Sequence, residues 1–74
     1  MKKYVLCLVN GGDYKYVATE NDIDNGGWVD CDIDLFGFDT IEDAEFTRKM
    51  LLAYATANGW VNPEILIEIV EIEY

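Results

Sequence analysis

The sequence contains no histidine and no serine. Their absence excludes a Ser-His-Asp triad, a histidine general base and any zinc site that requires imidazole ligands. Pairs of carboxylates could still act as acid and base, but a chain this short offers no obvious cleft, and acids that face solvent keep their ordinary acidity. We therefore predict a protein without enzymatic activity, cofactor or metal ion.

Cysteine is also scarce, with Cys7 and Cys31 as the two cysteines of the chain. Two cysteines are too few for a disulfide framework, and each lies in an apolar alternation that is typical of small, reduced core residues. The longest apolar run, residues 4–9, is far shorter than the roughly 20 residues that cross a bilayer. Since no signal-peptide pattern opens the chain either, we expect a cytoplasmic protein that does not bind membranes.

Positive charge is the third deficit, because five Lys and Arg residues stand against fifteen Asp and Glu residues, for a net charge of −10. Ten of the acids, and no cation, lie between residues 16 and 47. Such a segment repels nucleic acid and anionic membranes, since both bind proteins through Lys and Arg. Cations or basic protein surfaces are the expected partners.

The chain has 74 residues, of which 51% are hydrophobic. This apolar content favours folding despite the net charge, and a chain of this length buries about 60% of its surface when it folds. We predict one small α+β domain over residues 1–74. Residues 3–9 predict a central strand that is apolar on both faces, and a glycine-containing turn leads to a second strand over residues 14–19.

The clearest alternation in the sequence lies at residues 28–36 and predicts a third strand. Asp30, Asp32 and Asp34 would share its outer face, with their carboxylates about 6.7 Å apart. The opposite, inward face of this strand would carry Val29, Cys31, Ile33 and Leu35.

A change of period after residue 38 predicts a helix. Thr40 and Asp43 match the S/T-x-x-D/E helix start, and residues 58–59 (Asn-Gly) supply a left-handed stop about five turns later. The apolar residues that would form its core face spread over roughly 200° of the helix circumference: Ala44, Phe46, Met50, Leu51, Ala53, Tyr54, Ala55 and Ala57.

The last predicted strand covers residues 64–74, where Glu68 interrupts an apolar face and indicates a β-bulge or a sheet edge. The element order is therefore β-β-β-α-β. It predicts a four-stranded mixed sheet with one helix packed on one face. A right-handed crossover would place the last strand beside the first and parallel to it.

One helix covers a stripe about 10 Å wide, whereas four strands span nearly 20 Å. The remaining apolar surface needs a cover, and two interpretations are open. A homodimer or a large partner surface could provide it. Alternatively, long aromatic side chains from the loops could close the gap within the monomer: Trp28, Phe36, Phe38 and Trp60.

The predicted partner-binding surface is a set of carboxylates on neighbouring segments. Its members are Asp22, Asp24, Asp30, Asp32 and Asp34, with Glu71 and Glu73 as an auxiliary row. The functional interpretation is a phosphate-like surface that occupies a groove lined by Lys and Arg. The alternative interpretation is that these acids provide solubility and protect the edge of a small sheet.

The segment 22–30 also invites comparison with a calcium-binding loop. Asp22, Asp24 and Asp30 would take the first, third and ninth positions of an EF-hand loop, but the twelfth position is Ile33 instead of the bidentate Glu. Two flanking helices are not predicted either. We interpret the segment as a turn rich in Asp and Asn.

Four stretches of the chain resemble small phage and prophage proteins: residues 2–6 (KKYVL), 38–45 (FDTIEDAE), 57–60 (ANGW) and 68–72 (EIVEI). In those proteins a "YVL" strand opens the chain, a "T-x-E-x-A" helix start follows a short meander, and an acidic strand ends it. Some small acidic phage proteins are anti-defence factors, anti-CRISPR proteins among them. This sequence is similar to them in size, in its pI near 4.1 and in its lack of catalytic residues.

The resemblance implies a phage-type anti-defence protein in the host cytosol, with a basic bacterial partner such as a Cas effector or another nucleic-acid-binding defence protein. A CRISPR effector contacts its nucleic acids through Arg and Lys, which a carboxylate surface can occupy. Direct binding of nucleic acid is not expected. The alternative is a non-catalytic phage accessory protein that acts as a homodimer through apolar surface.

Overall fold

The computed structural model describes residues 1–10, 13–30 and 32–74. In chain order, its elements are the strands β1 (Lys2–Asn10) and β2 (Asp13–Val17), the helices α1 (Glu20–Asp24), α2 (Ile33–Phe36) and α3 (Ile41–Ala57), a 3-10 turn (Pro63–Ile65) and the strand β3 (Ile67–Glu73). The predicted α+β class is confirmed, but the described residues contain three helices where one was predicted, and α2 packs on the face of the sheet opposite α3. The helices within the described residues lack the combination of length and apolarity that a membrane span requires.

Within the described residues the sheet has three strands, in the order β2-β1-β3. The central position of β1 and the place of the last strand beside it are confirmed, with Leu6 opposite Val17 on one side and Ile69 on the other. Both strand pairs are antiparallel, so the predicted mixed sheet and the parallel last strand are wrong. The prediction included one strand too many before α3. Because each extra strand reverses the direction of the chain, its absence makes the last strand run antiparallel to β1.

The predicted third strand at residues 28–36 is the source of that error. Trp28 makes an isolated bridge to Tyr16, and the chain then turns into helix α2 instead of extending. Asp32 caps this helix, because its Oδ1 accepts a hydrogen bond from the amide of Asp34 at 3.0 Å. Aspartate is disfavoured in strands and favoured at helix N-caps, so local capping outweighs the alternation of apolar residues.

Side chains on both faces of β1 are buried. Leu6 and Leu8 face α3 and belong to the larger core cluster, whereas Val5 and Cys7 face the other way and pack with Phe36 of α2. Cys7 is almost fully buried, which confirms its prediction as a core residue. The same prediction for Cys31 lies outside the described residues.

Aromatic side chains outside the strands cover the sheet within one chain. Phe36 covers the face opposite α3, while Phe38 and Trp60 pack against the core on the α3 side. These three aromatic residues therefore supply part of the cover that the second interpretation predicts, with Phe36 doing so from helix α2 instead of a loop. Trp28 differs from them, because 46% of its surface remains exposed.

Helix α3 begins where the sequence predicts, since Oγ1 of Thr40 accepts a hydrogen bond from the amide of Asp43 at 3.2 Å. Its predicted core face is only partly correct. The buried residues of the helix are Ala44, Leu51 and Ala55, whereas Phe46 and Met50 are exposed to 66% and 49%. Apolar residues surround most of this helix, so periodicity alone does not select the face that packs on the sheet.

Arg48 fixes α3 to the start of β3. Its Nε donates a hydrogen bond to the carbonyl oxygen of Ile67 at 2.8 Å, and its Nη2 donates one to the carbonyl oxygen of Glu64 at 2.7 Å. The guanidinium therefore satisfies two backbone acceptors where the 3-10 turn enters the strand. This cation serves the fold and does not neutralise an acid of the predicted surface.

Candidate functional site

An open groove between α1, the bridge residue Trp28 and α2 brings several predicted site residues together. We call it the Trp28 groove. It has a volume of about 610 Å³ and is lined by Ala18, Thr19, Asp22, Trp28, Val29, Asp30, Asp32, Leu35 and Phe36. The groove therefore combines apolar side chains with three of the predicted acids.

The wall of the groove formed by Trp28 is held by three hydrogen bonds. Its amide donates to the carbonyl oxygen of Tyr16 at 2.9 Å, and its own carbonyl oxygen accepts from the amide of Tyr16 at 2.7 Å. The indole Nε1 donates to Oδ1 of Asp22 at 2.6 Å. A half-exposed indole that is fixed in this way presents a preformed aromatic surface to a ligand.

Asp22 has a structural role in addition to its charge. Its Oδ2 accepts hydrogen bonds from the amides of Ala18 and Thr19 at 2.8 and 2.9 Å, and Thr19 completes the capping box of α1. Partial burial raises the pKa of Asp22, but the hydrogen bonds from Trp28, Ala18 and Thr19 outweigh burial and leave the pKa below its usual value. This carboxylate is therefore ionised at neutral pH.

The three aspartates that were predicted to form a row on one strand lie instead on a loop and on α2. Asp30, Asp32 and Asp34 are all exposed. Asp30 and Asp32 line the groove, and Asp34 follows in the first turn of α2. The predicted regular row on a strand face is wrong because the strand is absent from the described residues, yet two of the three acids still meet Asp22 at one site.

The other predicted acids lie elsewhere. Asp24 accepts hydrogen bonds from the hydroxyl of Tyr54 at 2.8 Å to each of its carboxylate oxygens, and these bonds raise the pKa of Tyr54. Glu71 lies 3.7 Å from the ammonium of Lys2, and Glu73 is exposed near the end of β3. The auxiliary row therefore lies on an edge strand, and neither glutamate is among the described residues that line the groove.

Within the described residues, the ion pairs are Lys2 with Glu71 and Lys3 with Asp39. The hydrogen bond to Asp39 at 3.2 Å is the main reason that the pKa of Lys3 is raised. Both pairs have an exposed acid, and exposed pairs contribute little because water and salt screen them. Among the residues that the structure describes, no Lys or Arg forms an ion pair with an acid of the Trp28 groove.

Sequence reasoning missed the apolar part of the groove. Val29 and Leu35 were assigned to the inward face of a strand, but they are 74% and 70% exposed. The signal that could have located them is Asp32, whose type suits a helix N-cap immediately before the sequence Ile-Asp-Leu-Phe. A cap at that residue turns the chain and leaves Val29 and Leu35 at the surface.

The described residues contain no group of three Asp, Glu or Cys side chains arranged to hold a metal ion. The segment 22–30 was predicted to be a turn, but its first three residues belong to helix α1. In it, Asp22 accepts hydrogen bonds from amides and an indole, and Asp24 accepts them from a phenol. The chain matches no protein-family model, no curated protein and no solved structure at a significant level. The function is therefore inferred from the chemistry of the groove and from the charge around it.

Proposed function

We propose that this protein is a non-catalytic inhibitor that uses its acidic surface to block a nucleic-acid-binding protein. The target class is an RNA-guided effector or another defence protein of a bacterium, so the protein is a phage-type anti-defence factor, of the anti-CRISPR kind, that acts in the host cytosol. The observation that carries the proposal is the group of acids at the Trp28 groove, which no Lys or Arg of the described residues neutralises.

The net charge supports this proposal, because it is negative and comparable in magnitude with the phosphate charge of a short DNA duplex. The molecule measures 36 × 23 × 19 Å, and duplex DNA of the same 36 Å length carries about 21 phosphate charges at one per ~1.7 Å. The net charge of −10 is about half of that number. The protein thus competes for selected Lys and Arg residues of a nucleic-acid channel and does not copy a whole duplex.

The test measures target-DNA binding by purified RNA-guided effector complexes with and without the protein. We expect the protein to reduce DNA binding, and we expect its potency to fall steeply between about 50 and 200 mM salt because exposed ion pairs are screened. The variant Asp30→Asn/Asp32→Asn/Asp34→Asn should lose most of the inhibition. Affinity capture of the target from a bacterial lysate, with the wild type and the triple aspartate variant as baits, gives an independent measure of the same contact.

The variant Glu42→Gln/Glu45→Gln/Glu64→Gln is the matched control, since it removes the same charge from exposed positions away from the groove. Equal inhibition by the aspartate variant and the wild type would refute the acidic surface as the site of contact. Inhibition that is unchanged by salt would refute the electrostatic mechanism. If every effector complex tested binds DNA equally well with and without the protein, the inhibitor function itself is refuted.

A second candidate function rests on the exposed apolar stripe of α3, which consists of Phe46, Met50, Ala53 and Ala57. Phe46 and Met50 are one helical turn apart and both are well exposed, so the stripe could bury itself against a second copy. In that case the protein is an accessory protein that acts as a homodimer. Sedimentation of the wild type and of Phe46→Glu distinguishes the two candidates, because only a dimer through α3 would dissociate in the variant.

A further inference from the structure

We propose that the Trp28 groove is the docking site for a basic segment of a partner protein, in which an aliphatic or aromatic side chain is flanked by arginine or lysine. This inference rests on the proposed function, because it specifies which part of the acidic surface contacts the basic target. It adds a requirement that charge alone does not impose, namely an apolar anchor in the ligand.

The apolar requirement comes from the side chains that the groove leaves in water. Val29 and Leu35 are 74% and 70% exposed, whereas Phe36, which also lines the groove, is buried against Val5 and Cys7 of the sheet. Covering each exposed aliphatic side chain with another apolar group lowers the free energy, because apolar surface leaves water. A ligand without apolar surface, such as an inorganic cation, would leave both side chains in water.

The aromatic wall favours a ligand that binds a preformed site. Trp28 is held by Tyr16 and Asp22 through three hydrogen bonds of 2.6 to 2.9 Å, so its indole loses little freedom when a ligand packs on it. Tryptophan is among the residues that most often dominate the energy of an interface. A guanidinium of the partner could also stack on the exposed part of the ring.

The charge of the groove selects among apolar ligands. Asp30 and Asp32 are exposed residues of its lining, and Asp22 is ionised beside the indole. An apolar segment flanked by cations would place its charges against these carboxylates, and an acidic segment would be repelled. A second copy docked groove to groove fits poorly, because the carboxylates that line the two grooves would face one another.

The probe is a short synthetic peptide in which leucines are flanked by arginines, labelled with fluorescein and titrated with the 74-residue chain. Two peptides serve as controls, one with serine in place of each leucine and one with glutamate in place of each arginine. We expect saturable binding by the first peptide and about tenfold weaker binding or none by the other two. In a parallel NMR titration, the indole N–H signal of Trp28 should shift and that of Trp60 should not.

Two pairs of variants separate the groove from the rest of the surface. Val29→Ser/Leu35→Ser should weaken binding about tenfold, whereas Val61→Ser/Ile65→Ser, which removes two other exposed aliphatic side chains, should change it less than about twofold. Asp30→Asn/Asp32→Asn should weaken binding several-fold and reduce its salt dependence, whereas Glu42→Gln/Glu45→Gln should have a smaller effect. Asparagine also caps helices, so α2 is retained in the aspartate variant.

The docking site is refuted if the serine-containing basic peptide binds as well as the leucine-containing peptide, if none of the peptides binds, or if each groove variant behaves like its matched control. Those results leave the inhibitor function intact whenever the protein still blocks DNA binding by an effector complex. If the peptide binds in the groove but effector binding to DNA is unaffected, the docking site is supported and the inhibitor function fails. The two proposals can therefore fail separately.

Discussion

The indole nitrogen of Trp28 donates a 2.6 Å hydrogen bond to Oδ1 of Asp22, which lies six residues earlier in the chain. The other oxygen of the same carboxylate accepts from the amides of Ala18 and Thr19. One carboxylate thus joins the end of β2, the start of α1 and the aromatic wall of the groove. This arrangement requires three donors to face one acceptor group, so it depends on Asp22 remaining ionised.

Replacing Asp22 by Asn should release Trp28 from the wall. The amide of Asn has one oxygen, which keeps more hydrogen bonds when it accepts from the two backbone amides, so the NH₂ group faces the indole N–H and that hydrogen bond is lost. We expect the free energy of unfolding, measured in urea, to fall by about 1–2 kcal/mol, together with a red shift of tryptophan emission. Glu20→Gln, an exposed change in the same helix, is the control and should leave both unchanged.

Asp22 should also produce a measurable pH dependence of stability. Its pKa is lower in the folded protein than its usual value, so the unfolded chain binds the proton more tightly. The contribution of Asp22 is therefore fully present above about pH 4 and is lost as the pH falls through the lower folded-state pKa. Urea denaturation between pH 7 and about pH 2.5 should show a smaller loss of stability for Asp22→Asn than for the wild type; equal losses would contradict the assignment.

Two adjacent glycines should respond differently to alanine. Gly26 and Gly27 both have positive φ angles, of 77° and 83°, but a Cβ on Gly26 would meet no atom within 4 Å, whereas one on Gly27 would lie 2.7 Å from Cβ of Lys15. Gly26→Ala should cost about 1 kcal/mol through backbone strain. Gly27→Ala should cost about 1–3 kcal/mol more, because it also forces the loop away from β2. Equal costs would show that this close approach is absent.

The orientation of α3 can be tested with one buried and one exposed residue. Leu51 is 2% exposed and belongs to the core, whereas Phe46 is 66% exposed. Leu51→Ala should lower the free energy of unfolding by about 3 kcal/mol, and Phe46→Ala by less than about 0.5 kcal/mol, although phenylalanine is the larger side chain. The reverse order would mean that the helix packs on the sheet through the face that carries Phe46.

Local signals in the sequence predicted several elements correctly. The apolar run of β1 identified the central strand, and Thr40 identified the start of α3, because both depend on short-range composition and capping. Glu68 indicated an edge or a bulge, and β3 is indeed an edge strand whose ladder continues through Glu68 without a bulge. The failures at residues 28–36 arose where alternation and capping gave opposite predictions.

The sequence predicted the acids of the candidate site but not its apolar residues. Asp22, Asp30 and Asp32 were all chosen for their charge, and they do meet at one groove. Their grouping with Val29 and Leu35 was not predicted, because the assumed strand directed those aliphatic side chains inward. The placement of Asp24 against Tyr54, thirty residues away in the chain, also required a tertiary contact that no local pattern encodes.

By itself the sequence determined that this is a strongly acidic α+β protein without histidine or serine chemistry and with a central strand that is apolar on both faces. These properties follow from composition and short-range periodicity. The tertiary structure decided which part of the broad apolar face of α3 packs on the sheet, where Phe36 covers the second face of β1, and which aspartates share a groove with Trp28. Such choices depend on how elements distant in the chain compete to bury the same surface, and that competition is settled only when the whole chain packs together.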